Sequence, residues 1–504
     1  MEKRKKWRLI GIDLGTTHCK VGLFDEKGRL LHLEKQATIT HQSADGRLAY
    51  DPEELWQQFA GMLKRVQAVA RPGEVLAIGI ASMAEAGLLV DKRTGKAKTE
   101  IVPWYDRRTM KQYERICQVG DARTLFTRIG LFPSYKHGLA KILWFKEQEP
   151  SLLADGIWLS AADYLAFRLT GKFGTDHTLA ARTYAYRIDR KEWDEEWLAA
   201  FGLPAGLFPT VEASGTSLGE VRRELGFLPG IKVAVAGHDH LCAALAVGAI
   251  TPGVVFDSIG TAESLIGTLD QRVLGDKEYN SHLSFGCHVV PGKMVWIGGL
   301  SAAGGSLEWL RRQLGDEPLS YRKIEDLLAS TGPEPTGIIY YPYLSGSGAP
   351  LRDPKVRGAL IGLRAEHGKA DLLKAILEGT AYEMEAIRRA AAQVADGGIE
   401  QFVAVGGGTR NRTWMRIKAT VSGCTIRIPP VEEATLLGAA LLAAIGAGFF
   451  QNAAEAVASL ELETESQVVV PWEESRARYR QIFEEGYLKL QHPIRQYFQT
   501  AGKA

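Results

Sequence analysis

Three short turns in this chain carry residue types that handle phosphate and protons. In the first, Asp13-Leu14-Gly15-Thr16-Thr17, glycine lets a backbone come close to an anion, and successive N–H groups with threonine hydroxyls can cradle phosphate oxygens. Asp13 beside those oxygens suits a magnesium ion, held directly or through water. Asp, Gly and Thr also build ordinary hairpin turns, so this segment alone has two readings. A second Gly-Thr turn, Gly260-Thr261, strengthens the phosphate reading. The third, Ala236-Gly237-His238-Asp239-His240, follows the apolar strand Ile231 to Val235. A carboxylate there, ahead of a small-residue helix, sits where α/β folds place their sites. Asp239 would accept the proton of a hydroxyl attacking phosphorus. Two other readings stay open: a helix cap, and a metal site on His238, Asp239 and His240, although neighbours in sequence converge poorly.

Gly406-Gly407-Gly408-Thr409-Arg410-Asn411 follows a strand, and three glycines there would let a flat adenine or ribose lie on the backbone. A closely packed helix-entry turn is the other reading. Neither GxxxxGK[ST] nor GxGxxG occurs, so nucleotide binding here is not of P-loop or Rossmann type.

The elements that must position these turns alternate between strand and helix, which predicts an α/β fold. Arg8 to Gly11 leads into the first turn, Val21 to Phe24 returns from it, and Arg29 to Leu33 leads out of a further turn. Asp51-Pro52 starts a helix with an apolar face of Leu55, Phe59, Met62, Val66 and Val69, and Val75 to Ala81 is a buried strand. Val254 to Thr261 repeats the plan of Leu9 to Thr16, just after Thr251-Pro252-Gly253. The simplest reading is two similar halves, each opening with a hairpin, facing each other across a cleft. Leu372 to Val394 forms a long helix stopped by Gly397-Gly398, and Phe402 to Val405 a strand. Gly438 to Phe450 reads as a buried helix packed closely on a neighbour, and Trp472 to Phe498 as a charged surface helix interrupted at Pro493.

Composition narrows the class. The 504 residues are 45% apolar and 24% charged, which excludes a disordered chain. With 61 basic against 59 acidic side chains, net +2, a dedicated binder of nucleic acid or anionic membrane is not expected. Five separated cysteines without a CxxC pair make no disulfide framework or zinc knuckle. The basic start, residues 1–6, precedes an apolar stretch broken by Arg8 and Asp13, and Gly438 to Phe450 is too short to span a bilayer. A cytoplasmic globular protein acting on a small molecule is therefore expected, and a homodimer is compatible with the sequence.

The motifs, in this order, resemble the FGGY family of ATP-dependent carbohydrate kinases, which includes glycerol kinase, xylulokinase and the fuculose kinases. The matching segments are the Asp13 to Thr17 turn, Trp104-Tyr105-Asp106-Arg107-Arg108, Asp163-Tyr164-Leu165 with Leu169-Thr170-Gly171, Gly237-His238-Asp239, Ser258 to Thr261, and Gly406 to Gly408. Gly358 to Leu363 followed by Asp371-Leu372 and Ala375 to Glu378 resembles the family's C-terminal signature. The resemblance implies two ribonuclease-H-like (actin-like) domains flanking a central ATP/sugar cleft, residues 1–250 holding the sugar and residues 251–504 the nucleotide. It makes Asp239 the base, puts Asp13 at the magnesium, and sets Thr16, Thr17 and Lys20 by the phosphates. Gly260, Thr261, Gly304, Gly407, Gly408 and Asn411 match the nucleotide segments, and Glu85, Trp104, Asp106, Tyr135 and His240 the acceptor pocket.

Departures from the family pattern bear on the substrate. Ala84-Glu85 stands where glycerol kinase has Arg-Glu, so the arginine clamp on a small polyol is expected to be missing, and Glu85 replaces a xylulokinase histidine. His238-Asp239-His240 and Gly260-Thr261-Ala262-Glu263 look closer to the fuculose-kinase type. The expectation is phosphorylation of a ketose hydroxyl, of a pentulose such as xylulose or a deoxyketose. The alternatives are a glycerol- or tetritol-type polyol kinase, an actin-like ATPase without an acceptor, and a silent sugar sensor.

Overall fold

The computed structural model describes residues 7–70, 73–460 and 462–501, so the basic start lies outside the described residues. Its first strand, β1 (Arg8–Leu14), is apolar on both faces and buried along nearly its whole length, as a central strand must be. It pairs antiparallel with β2 (His18–Phe24), which pairs antiparallel with the half-exposed β3 (Leu30–Ala37). On its other side β1 runs parallel to β4 (Val75–Ser82). β5 (Ser217–Glu220) and β6 (Lys232–His238) complete a six-stranded sheet of order β5-β6-β4-β1-β2-β3.

The second half repeats this plan. β7 (Val254–Ile259) and β8 (Glu263–Asp270) form its opening hairpin, with β9 (Ser284–Cys287) and β10 (Lys293–Leu300) extending the antiparallel side. β11 (Gln401–Val405) and β12 (Thr425–Ile428) add parallel strands, and β13 (Gln467–Val469) closes a sheet of order β9-β10-β8-β7-β11-β12-β13. The eight-residue echo between Leu9–Thr16 and Val254–Thr261 thus marks the same hairpin in each sheet.

Helices settle where the apolar pattern sends them. α1 (Pro52–Val69) starts as expected, with the Asp51 carboxylate accepting from the Glu54 N–H at 2.8 Å, but its last apolar residue, Val69, is exposed. α2 (Asp239–Ala246) and α3 (Ala434–Gly446) lie between the two sheets. One apolar core joins Leu9, Ala77 and Ala234 of the first sheet to Phe256, Ile266 and Val403 of the second through Cys242, Leu245, Leu437 and Leu441. α3 belongs to the second half in sequence yet packs on β1, β4 and β6. Its apolar residues run all round, as burial on every side requires. At Gly438 any Cβ would collide with the Cys242 carbonyl, so the two helices cross at backbone contact.

The expected C-terminal surface helix is corrected. Helical turns run from Glu473 to Ala501 through a π-turn at Phe483–Tyr487 and straight past Pro493. One face is core: Tyr479, Phe483 and Tyr487 are buried, and Tyr487 stacks on Tyr341 with ring centroids 4.5 Å apart. Burial of three aromatic rings outweighs the roughly 3 kcal/mol that an interior proline costs. No helix among the described residues is long and apolar enough to cross a membrane.

Candidate active site

The carboxyl ends of β1 and β6, one strand apart, bring two carboxylates together. Asp13, near the end of β1, is buried, and its Oδ1 has no hydrogen-bond partner. Burial, and after it the charge of Asp239, pushes the Asp13 carboxyl up to about 8 against the pull of Lys20. Asp239 begins α2 directly after β6. Its Oδ1 accepts from the His240 N–H at 2.7 Å and lies 3.2 Å from His238 Nε2. The His238 and His240 rings stack in parallel with centroids 5.5 Å apart, so they do not converge on a metal position. Burial lowers His238 to about 4, with Asp239 opposing, which leaves this imidazole neutral at pH 7.

A chain of buried hydrogen bonds fixes this turn. The His238 N–H donates to Thr178 Oγ1 at 2.9 Å, and the Thr178 hydroxyl donates to Asp176 Oδ2 at 2.8 Å. Gly237 between them has φ of +117°, and a side chain there would strike Thr178 and Asp176. No local motif announced Asp176 and Thr178; they sit some sixty positions before the turn they hold.

Around the first turn, the Trp104 indole N–H donates to Thr16 Oγ1 at 2.9 Å, and the Lys136 ammonium lies over its ring at 4.8 Å. Thr17 is exposed, its carbonyl accepting from the Thr38 N–H at 3.0 Å. Lys20, expected by the phosphates, pairs at 2.6 Å with Glu433, the residue just ahead of α3. Asp106 is corrected: it is 3% exposed, and both carboxylate oxygens are taken, by Arg108 and by the Leu48 N–H at 2.6 Å. It orders the Trp104 loop and presents no oxygen to an acceptor.

Between the halves lies a cleft of about 810 Å³, with Glu85 and Tyr135 on one wall and Ser264, Ile297, Gly348 and Arg352 on the other. The Ala84 departure takes on a different meaning here. Arg182, just past the short helix His177–Ala181, donates from Nε to Glu85 Oε1 at 2.8 Å and from Nη2 to the same oxygen. Glu85 therefore has an arginine partner after all, supplied from 97 residues away. Burial would raise the Glu85 carboxyl, but Arg182, His238 and His137 outweigh it and hold it well below the usual range.

The second half builds a separate cavity of about 580 Å³, a volume that suits a small-molecule site. Gly260, Thr261, Gly304, Gly407, Gly408 and Asn411 all line it, with Leu307, Tyr321, Ile324 and Trp414. The Gly304 N–H donates to the Gly260 carbonyl at 3.0 Å, and a side chain at Gly304 would strike that carbonyl. A Cβ at Gly407 would meet nothing within 4 Å. Asn411 also caps α4 (Arg412–Ser422), its Oδ1 accepting from the Trp414 N–H at 3.0 Å. The glycine loop is thus both helix entry and cavity wall. Behind it Lys418 is buried between Glu263 and Asp257, at 3.5 Å from Asp257. Glu263 points into this core, away from the acceptor cleft.

Comparison with known proteins agrees with this geometry. Residues 8–246 match the N-terminal domain, and residues 258–447 the C-terminal domain, of the FGGY family of carbohydrate kinases. A xylulose kinase of Bacillus subtilis is 28% identical over 491 residues, covering 94% of this chain and 95% of its own. A glycerol kinase of Citrifermentans bemidjiense is 29% identical over 461 residues, covering 88% and 91%. Among solved structures, a gluconate kinase from Lactobacillus acidophilus superposes with a TM-score of 0.88 at 20% identity, over 98% of this chain and 99% of that one, which shows the shared fold. Matched along nearly its whole length by both domains in order, the chain belongs to the FGGY family of carbohydrate kinases and is a phosphotransferase acting on a sugar or polyol.

Proposed function

We propose that this protein transfers the terminal phosphate of ATP to a hydroxyl of a ketose, of a pentulose such as xylulose or a deoxyketose, with Asp239 as the base. The observation that carries the reading is the approach of Asp13 and Asp239 at the carboxyl ends of two strands flanking β4, close enough for the charge of Asp239 to raise the Asp13 carboxyl. The xylulose kinase relative, matched over 94% of this chain, supports the choice of ketose.

Gly260, Thr261, Gly304, Gly407, Gly408 and Asn411 would hold the nucleotide, the open face of Gly407 admitting a flat group. The unpartnered Oδ1 of Asp13 is the fit for magnesium, which binds through one or two carboxylates and phosphate oxygens. When bound, that ion supplies charge neutralisation at the phosphates. Thr16 and Thr17 offer hydroxyls beside it, Trp104 fixes Thr16, and Lys20 would exchange Glu433 for a phosphate. Glu85, fixed by Arg182, accepts hydrogen bonds from sugar hydroxyls, with Tyr135 on the same wall of the cleft and His240, stacked on His238, next to the base. Asp239 takes the hydroxyl proton as the acceptor oxygen bonds to the terminal phosphorus and the bond to the ADP oxygen breaks. Approach of the two halves excludes the water that would otherwise hydrolyse ATP.

A coupled ADP-release screen over pentuloses, hexuloses, deoxyketoses, tetritols and glycerol tests the reading. ADP release should require a carbohydrate, and Asp239→Asn should lower kcat by roughly 100-fold or more with calorimetric nucleotide affinity kept. ATP consumption indifferent to every acceptor, or normal turnover by Asp239→Asn, would overturn it.

A further inference from the structure

We infer that the acceptor carries an oxyanion as well as its hydroxyls, and that Arg352 and Lys136 are the specificity-determining residues that recognise it. This rests on the kinase reading with the cleft between the halves as the acceptor site, and it replaces the neutral ketose of that reading by an anionic sugar. Five lysines and arginines line the cleft, and three of them, Lys136, Arg182 and Arg352, lie within electrostatic reach of one another. Among the described residues, Arg182 alone of these three has a carboxylate partner, Glu85.

The other two are held by neutral groups. Lys136 lies over the Trp104 ring, and no carboxylate pairs with it among the described residues. Arg352 donates from Nη2 to Ser284 Oγ at 2.9 Å and from Nε to the His282 carbonyl at 3.2 Å, and its guanidinium lies 5.0 Å over Phe132. Such partners aim a guanidinium without neutralising it. The nearest acid in sequence, Asp353, turns away and forms no ion pair with it: Oδ1 accepts from the Lys355 N–H at 2.9 Å and Oδ2 from Gln499 at 3.3 Å.

Arg352 is open to the cleft but walled in by protein, and that enclosure, with Arg182 next, lowers it to about 10. Lys136 is lowered by burial too; the Glu85 carboxylate opposes this, but Arg182, which already holds Glu85, and Arg352 push Lys136 further down. Gathering unpaired like charges in a confined cleft is unfavourable unless a counter-charge arrives. A neutral ketose supplies none, whereas a carboxylate or phosphate meets both groups with charge-assisted hydrogen bonds. Lys136 belongs to the first half and Arg352 to the second, so an anion between them also ties the cleft's two walls together.

The test is ADP release with D-gluconate and D-xylonate, with D-fructose 1-phosphate, and with D-xylulose, D-fructose and xylitol. One anionic class should show kcat/KM about tenfold to a hundredfold above the neutral compounds, the responding arm identifying carboxylate or phosphate. Its KM should rise with added salt. Arg352→Gln and Lys136→Met should each raise the KM for that acceptor about tenfold or more while KM for ATP changes less than about twofold. Calorimetric binding of the same anions to the wild-type protein with ADP gives a readout that needs no variant. Preference for neutral acceptors, no anion binding, or an Arg352→Gln effect on ATP instead of the acceptor overturns this inference alone. ATP consumption without use of any acceptor overturns the kinase reading and takes the inference with it.

Discussion

The two hairpin turns share one backbone plan and opposite electrostatics. In the first, β1 ends in Asp13, a buried carboxylate with an oxygen left unpartnered near Asp239. In the second, Ser258 stands at the matching position, and the carboxylates nearby, Asp257 and Glu263, turn inward onto the buried Lys418. One turn leaves its carboxyl unpaired for the site, at a cost in stability near neutral pH. The other hides its charges and presents mostly backbone to its cavity. A duplicated hairpin has thus become one chemical turn and one binding turn, and the difference lies in where three carboxylates point.

Breaking the inner brace should have the largest effect. Lys418→Met leaves two carboxylates facing each other in the core and should lower stability by about 3–5 kcal/mol in chemical denaturation. Replacing all three together, with Asp257→Leu and Glu263→Leu, should recover much of that loss. A single variant as stable as the wild type would mean that the triad does not brace the second turn.

Asp13 should respond with the reverse sign. With a folded value near 8 against an ordinary 3.8, the folded chain keeps a proton that the unfolded chain releases between those values. Stability from this group is therefore lost as pH rises from about 4 to 8, and below pH 4 both states are protonated. Asp13→Asn should gain on the order of 1–3 kcal/mol at pH 7 and nothing at pH 4, while magnesium-dependent turnover falls. Magnesium binding by the wild type should release a proton at pH 7, seen by calorimetry in two buffers, and the variant should release none. Destabilisation at pH 7 would show that Asp13 is a paired structural acid like Asp257.

Trp104→Phe sharpens the comparison most gently. It removes the hydrogen bond to Thr16, worth about 0.5–1.5 kcal/mol, and keeps a ring under Lys136. KM for ATP should rise by a factor of about three to ten. A shift confined to the acceptor would return Trp104 to the sugar side of the site.

Legibility in the sequence followed the range of the interactions. Gly260, Gly304, Gly407 and Gly408 were readable because close backbone approach needs glycine locally, and all of them line one cavity. The repeat of eight residues was readable because each half needs the same hairpin. Arg182 was not, since nothing around Ala180-Ala181-Arg182-Thr183 signals a partner 97 residues back. Asp106 was misjudged because its motif neighbours reach the site while its own carboxylate closes on Arg108 two residues on. Pro493 misled for a related reason: a helix break weighs little once the buried tyrosines of the same face are counted.

By itself, the order of residues determined the alternating strands and helices, the paired hairpins, the glycine turns and the placing of Asp239 at a strand's end. Each of these follows from hydrogen bonding and sterics among neighbours a few residues apart. Only the tertiary structure decided which charges meet: Glu85 with Arg182, Lys20 with Glu433, Lys418 with two acids, and Lys136 and Arg352 with no acid among the described residues. Long side chains choose partners across the fold, and their ionisation depends on burial that no local pattern records.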